Sequence, residues 1–499
     1  MPKNEIYLLG YDVGSSSVKA ALIQASSGKL KASALSPKKE LDIIAHHPGW
    51  AEQDPETWWK HIKSATAELL RKAKINPTQI QAIGVSYQMH GLVMVDRHLK
   101  VLRPSLIWCD SRAVETGEKA FREIGEKKCL EQFLNSPGNF TASKLKWIKD
   151  NEPEIYKKTY KIMLPGDFII MKMTNQVQTT ISGLSEGILW NYKEKKLNKI
   201  LLDYYGISEN LIPEIVPTFS IQGKLSPEAA KALGLKAGTL ISYRAGDQPN
   251  NAFSLNVLNS GEIAATAGTS GVIYGLSDQP VYDTKSRVNT FVHVNHTEKK
   301  PRYGVLLCVN GTGIMNSWMR KILSVKAPVS YPEMNALAAK APIGSDGLLF
   351  YPYGNGAERT LGNRHCSAGL TGLQSNIHNP AHLVRSVQEG IVFALNYGLN
   401  IMQDMGLEAK VIRAGRTNMF LSSVFCEAFA GVTGAAIELY DTEGAQGAAR
   451  GAGLGAGIYN DPKEAFIGMR RIKVIEPEKK LTDQYREFYA KWQEGLSPL

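Results

Sequence analysis

Two short strand–loop–strand units, half a chain apart, constrain most strongly what this sequence folds into. Ile6–Tyr11 is apolar, Asp12-Val13-Gly14-Ser15-Ser16-Ser17 is a turn of small residues, and Val18–Ala25 is apolar again. The pattern returns as Glu262-Ile263-Ala264-Ala265-Thr266-Ala267, then Gly268-Thr269-Ser270-Gly271, then Val272-Ile273-Tyr274. Short apolar runs around Gly- and Ser-rich turns read as hairpins. Laid over one another, Gly14-Ser15-Ser16 matches Gly268-Thr269-Ser270, and Asp12 falls where the second copy has Thr266. A device used twice in 499 residues predicts two lobes of related design, residues 1–250 and 251–499.

Helices interleave with these strands. Asp54-Pro55-Glu56-Thr57 is a helix start, with Asp54 as cap, Pro55 in the first turn and Glu56 at the positive dipole end. Trp58, Ile62, Ala65 and Leu69 follow at helical spacing. Ile80–Ser86, Leu92–Val95 and Leu240–Arg244 read as strands, and Leu481–Glu494 as a terminal amphipathic helix. The mixture predicts an α/β fold. Gly447, Gly451 and Gly455 fall four apart in a Gly/Ala-rich stretch, which predicts one helix face in close packing. That stretch lacks GxGxxG, and the chain lacks GxxxxGK[ST], so dinucleotide and P-loop readings are weak.

Composition excludes several classes. No apolar run reaches the roughly 18 residues of a membrane helix. The N-terminus enters a strand without the regions of a secretory leader, so a cytoplasmic protein is expected. Net charge is +11, but the Lys-rich stretches 144–161 and 193–199 also carry acids and read as solvated faces and turns. No basic motif with interleaved aromatics points to nucleic acid. Five widely spaced cysteines, Cys109, Cys129, Cys308, Cys366 and Cys426, without CxxC, argue for free thiols rather than disulfides or zinc.

Chemistry has several candidate seats. The glycines of the two hairpin loops let backbone approach phosphate, and their amides and hydroxyls donate. Asp12 beside such a loop suits Mg²⁺. Asp247 in Ala245-Gly246-Asp247-Gln248 follows a strand end, where α/β proteins place catalytic groups; its simpler use is as the N-cap of the next helix. Gln88-Met89-His90 lies between two strands and can bind hydroxyls and an apolar sugar face. Asp110 and Arg112 read first as a local salt bridge.

Taken together and in order, these segments resemble the FGGY family of carbohydrate kinases, in its ketose-kinase branch. Besides both loops and Gln88-Met89-His90-Gly91, the resemblance covers Pro48–Pro55 with Trp58-Trp59 and Thr141–Asn151, whose edge departs at Asn139. It also covers Ser367–Glu389, where Gln388 occupies an apolar slot. The resemblance implies two actin-like ATPase lobes, a sugar-binding N-terminal one and a nucleotide-binding C-terminal one, with the active site in the cleft and the last helix packing back on the first lobe. It implies ATP and Mg²⁺, and transfer of phosphate to a ketopentose, D-xylulose first. Asp247 is then the general base and, with Asp12, a metal ligand. Gln88, Met89, His90, Asp247 and Gln248 meet the sugar. Gly14, Ser15, Ser16, Lys19, Gly268, Thr269, Ser270, Gly415, Arg416 and Asn418 meet the nucleotide. Arg244-Ala245-Gly246-Asp247 keeps only the last two positions of a GGGD-type motif, and Arg416 replaces a glycine expected against the adenosine. The partners implied are a small sugar and ATP, without nucleic acid or membrane; a homodimer is an open assembly state. Ribulose, fuculose, glycerol or another polyol are rival substrates. Rival classes are a sugar-binding regulator without strong turnover and an actin-like filament or chaperone ATPase.

Overall fold

The computed structural model describes residues 5–325 and 327–496. The chain forms two units. The first holds the residues up to Asn256 together with Phe291–Tyr303 and Thr442–Met469. The second holds Val257–Thr290, Gly304–Asp441 and the chain from Arg470 onward. The first crossing thus lies just past the 250/251 division read from the sequence, which did not include the two returning segments. The terminal helix also differs from expectation. It belongs to the second unit, where Tyr485 and Trp492 sink into an apolar core beside Phe393. The segment that joins the first unit is the Gly/Ala-rich one.

The first unit is built on a six-stranded sheet of β1 (Tyr7–Val13), β2 (Val18–Gln24), β3 (Leu30–Ser36), β4 (Ile80–Tyr87), β5 (Phe219–Lys224) and β6 (Leu240–Gly246). Its order is β5-β6-β4-β1-β2-β3. Strands β1, β4 and β6 run parallel, while β2, β3 and β5 are antiparallel to their neighbours. The second unit repeats the plan with β7 (Ile263–Ala267), β8 (Gly271–Ser277), β9 (Asn289–Val292), β10 (Tyr303–Val309), β11 (Val411–Gly415), β12 (Ala436–Tyr440) and β13 (Arg471–Ile475). Its order is β9-β10-β8-β7-β11-β12-β13, with β7, β11 and β12 parallel and β8 and β13 antiparallel to their neighbours. The two hairpins of the sequence, β1–β2 and β7–β8, occupy the same place in the two sheets.

Helix α1 (Pro55–Ala73) starts as the sequence predicts: Asp54 accepts the Glu56 amide at 3.0 Å, and Trp58, Ile62, Ala65 and Leu69 are buried. On the first unit also lie α2 (Thr141–Asn151), α3 (Pro165–Thr174), α4 (Ile181–Glu186) and α5 (Asp247–Ser254). The second unit carries α6 (Gly313–Leu323), α7 (Pro380–Asp404) and α8 (Ser423–Thr433). The glycine-rich helix α9 (Gly444–Gly455) lies on the first sheet, and α10 (Lys479–Glu494) ends the described chain. The glycine face of α9 packs closely, as its spacing predicts, but on strands and on α5: a Cβ at Gly451 would stand 2.6 Å from the Tyr243 ring, and one at Gly447 2.6 Å from Ser254 Cβ. Gln388, polar in an apolar slot, is buried and satisfied. It donates to Asn335 at 3.0 Å and accepts from Ser422 at 2.7 Å. All five cysteines are free, and no described helix is long and apolar enough to cross a membrane.

Candidate active site

In the first unit the parallel strands β1, β4 and β6 end on one edge of the sheet, each with a candidate residue at or just past its end. Asp12 is the half-buried residue of an otherwise buried β1. It pairs across the hairpin with Lys19 and across the parallel ladder with Ser86, whose hydroxyl donates to Asp12 Oδ1 at 3.0 Å. The loop after it is closed by the Gly14 amide donating to the Ser17 carbonyl at 3.0 Å. Its other carbonyls are engaged: Ser15 O accepts from Gln53 at 2.7 Å and Ser16 O from the Leu41 amide at 2.9 Å. The Trp108 indole donates to Ser15 Oγ at 3.3 Å.

Asp247 opens α5, but as its first helical residue; the cap position is Gly246. The simpler sequence reading, a capping aspartate, therefore does not hold. Burial pushes the Asp247 carboxyl up to about 7, and the charge of Asp12 adds to the effect, against hydrogen bonds from the Gln248 backbone and side chain. Gln248 is half-buried beside it. A third acid, Glu443, stands before α9 and lies 3.9 Å from Lys19. Burial raises Glu443, Lys19 opposes, and Asp12 raises it further. A Cβ on the next residue, Gly444, would lie 2.7 Å from Asp12 Oδ2 and 3.0 Å from Asn251 Oδ1. Helices α5 and α9 are stitched together here, Asn250 donating to Gly444 O at 2.9 Å and Ser254 to Glu443 O at 3.1 Å.

The loop after β4 carries the other first-unit candidates. Gln88 is buried, donates to Gln53 at 3.2 Å, and keeps Oε1 without a partner. Met89 is buried with its Cγ 2.6 Å from where a Gly246 Cβ would be. His90 has a left-handed φ of 60°, a strained conformation for a non-glycine residue that neighbours hold in place. Its Nδ1 lies 2.9 Å from Glu186 O, its amide donates to Glu186 Oε1 at 3.4 Å, and its carbonyl accepts from Lys144 at 3.1 Å. Phe140 and Phe291 flank its ring, with centroids at 4.8 and 5.4 Å.

The second unit gathers its own group where β7 and β11 end. Gly268 O accepts the Gly313 amide at 2.9 Å and Thr269 O accepts the Ile314 amide at 3.1 Å, so α6 holds the loop by its carbonyls. Asn418 Nδ2 lies 3.6 Å from the place of a Gly268 Cβ, and β11, which ends at Gly415, pairs in parallel with β7, which leads into the Gly268 loop. Arg416 is exposed, tied by its amide to Tyr440 O at 3.0 Å.

Sequence reasoning missed three residues. Lys144 lies in a stretch read as solvated, yet it is fully buried; burial lowers its pKa to about 8, and its ammonium spans the carbonyls of His90 and Ile107. Glu443 and Glu186 were also missed. The legible signal for Glu186 was one acid in the small and apolar run Ser182–Trp190. Asp110 and Arg112 do form the expected local salt bridge, at 2.7 Å.

Residues 7–254 match the N-terminal domain of the FGGY family of carbohydrate kinases and residues 263–458 its C-terminal domain. The xylulose kinase of Bacillus subtilis is 28% identical, covering 97% of this chain and 97% of its own. The L-xylulose/3-keto-L-gulonate kinase of Escherichia coli is 27% identical, over 99% and 97%. Among solved structures, ligand-bound xylulose kinase of Lactobacillus acidophilus superposes with a TM-score of 0.88 at 24% identity, over 99% and 98%. With both family domains matched along its length, the chain belongs to the FGGY family of carbohydrate kinases, and is a carbohydrate kinase of two-domain, actin-like fold.

Proposed function

We propose that this kinase transfers the γ-phosphoryl group of ATP to a ketopentose, D-xylulose first, forming D-xylulose 5-phosphate. The observation that carries the proposal is Asp247: a half-buried carboxylate with a proton affinity near neutrality, beside the Gln88-Met89-His90 loop. The names of the relatives, xylulose kinases 26–28% identical, support the sugar.

Asp247 takes the proton from the attacking hydroxyl. As that oxygen bonds to the γ-phosphorus, the bond to the bridging oxygen breaks and ADP leaves. Gln88, Met89, His90 and Gln248 orient the sugar, Met89 offering an apolar surface and the others hydrogen bonds. With the Ser15 and Ser16 carbonyls already engaged, Ser15 and Ser16 present amides and hydroxyls to phosphate, Gly14 lets it approach the backbone, and Lys19 adds a positive charge. In the second unit Gly268, Thr269 and Ser270 are assigned to phosphate, and Gly415, Arg416 and Asn418 to the nucleoside side. A guanidinium at Arg416 can stack on a base or hold a phosphate.

The residues fit Mg²⁺. The charge of Asp12 raises the Asp247 carboxyl, so a cation between them is favoured, and the missing Cβ of Gly444 leaves room by Asp12 Oδ2. No group of three or more His, Cys, Asp or Glu forms a metal cage among the described residues. Mg²⁺ typically keeps several waters and takes one or two carboxylates plus phosphate oxygens. When bound it supplies neutralisation of phosphate charge. Cytoplasmic location, where ATP is available, and a homodimer complete the proposal.

The test is ADP release by purified protein across a panel of ketoses and polyols. Selective stimulation by D-xylulose is expected. A flat response overturns the proposal and favours a sugar-binding regulator.

A further inference from the structure

Glu186 ends α4 with its side chain buried, and its two carboxyl oxygens have different fates. Oε1 accepts the His90 amide at 3.4 Å. Oε2 is buried without any hydrogen-bond partner. That oxygen lies against Gly246, the residue before Asp247: a Cβ there would collide with Glu186 Oε2 and stand 2.6 Å from Met89 Cγ. The orphan oxygen therefore sits among Met89, His90 and the backbone leading into Asp247, the residues assigned to the sugar. The charged and titratable groups around it are Asp247 on α5, Asp167 on α3, Tyr87 on β4 and the His90 loop. Arg244, the nearby cation, donates through Nη1 to Asp167 at 2.9 Å and through Nε to Gln222 at 2.9 Å, while its Nη2 is buried without a partner. Buried polar atoms are ordinarily satisfied, and one left open at a ligand site points to the ligand as its partner.

We propose that Glu186 selects the substrate: its open oxygen binds a hydroxyl of a neutral sugar and turns away sugar acids. The proposal rests on the sugar-kinase reading above. A hydroxyl both donates and accepts, so it pairs with a carboxyl group in either protonation state. A carboxylate on the substrate can pair only with a protonated Glu186, and it would meet the further acids Asp247 and Asp167, the charge of Arg244 being balanced by Asp167. The relative from Escherichia coli named for both L-xylulose and 3-keto-L-gulonate makes the distinction a real choice within this family.

The experiment measures the KM of the best ketose from the panel and the inhibition constant of D-gluconate against it. Wild type, Glu186→Gln and Glu186→Ala are compared. Glutamine keeps an acceptor for the His90 amide and removes the acid. The ratio of gluconate inhibition constant to ketose KM is expected to fall about tenfold or more in Glu186→Gln. In Glu186→Ala the ketose KM is expected to rise about tenfold, with the ATP KM within about threefold of wild type. A purely structural role would move both sugars together, so an unchanged ratio in the variants overturns the inference. Tighter binding of gluconate than of ketose by wild type also overturns it. Absence of ketose turnover in wild type overturns the proposed function itself, and the inference with it.

Discussion

The hairpins β1–β2 and β7–β8 have the same place in two sheets of one topology, yet their surroundings differ in charge. Around the first stand Asp12, Asp247 and Glu443, coupled through Asp12. At the matching position of the second is Thr266, half-buried like Asp12, and its loop is held by the amides of α6. The sheet order repeats because backbone pairing repeats; the chemistry does not, because it depends on a single side chain per strand end. On the proposed function, the acidic copy handles metal and hydroxyl as well as phosphate, and the neutral copy handles phosphate without a metal, where an added carboxylate would repel it.

The largest break of this asymmetry is Asp247→Asn, which keeps shape and removes basicity. Its kcat is expected to fall ~10³-fold with the sugar KM within ~3-fold. Wild-type kcat/KM should fall on the acid side of about 7, where Asp247 takes up a proton. The stability sign is the reverse. A carboxyl with a raised folded pKa favours the fold below the ordinary carboxylate range and loses that contribution as pH rises through about 7. Asp247→Asn should therefore melt above wild type at pH 8, with the gap closing toward pH 4, as read by calorimetry. A wild-type activity profile flat through neutrality would count against the base.

Next is Asp12→Ala, expected to lower activity on the order of 100-fold at fixed Mg²⁺, with partial recovery at higher Mg²⁺. An unchanged Mg²⁺ titration would remove Asp12 from the metal. Thr266→Asp then makes the second copy resemble the first. The ATP KM is expected to rise on the order of 10-fold with the sugar KM unmoved. If both shift alike, the two copies are not divided as proposed. The smallest effect is for Gly268→Ala. Its Cβ would meet Asn418 at an ordinary 3.6 Å, so the melting point should hold within about 2 °C. The ATP KM should still rise about 3-fold, because phosphate loses its close approach to the backbone.

What could be read from residue order was what is local. The hairpins, the Asp54 cap and the strand before Asp247 depend on neighbours in sequence, and each lies within three residues of its expected bounds. The approach of Asp12 to Gly444, or of Glu186 to Gly246, joins residues far apart in the chain, and no spacing announces it. Lys144 misled for a related reason. Its neighbours Lys146 and Asp150 do form an exposed pair, at 2.5 Å, so the stretch looks solvated, while one helix face turns Lys144 inward onto two carbonyls. For the terminal helix an amphipathic pattern says that a face is covered, and not by what; in the second unit Tyr485 and Trp492 cover it against Phe393.

Helix α9 has a consequence for how the protein is made. The first sheet is covered by Gly444–Gly455, with Gly10 and Gly84 shaped to accept the backbone of Ala445 and Ala448. A ribosome delivers that covering only after some 440 residues have been synthesised. Until then one face of the earliest strands to emerge has no native lid. The first unit therefore completes its folding late, and a chain stopped before residue 442 should leave that apolar face to chaperones or to aggregation.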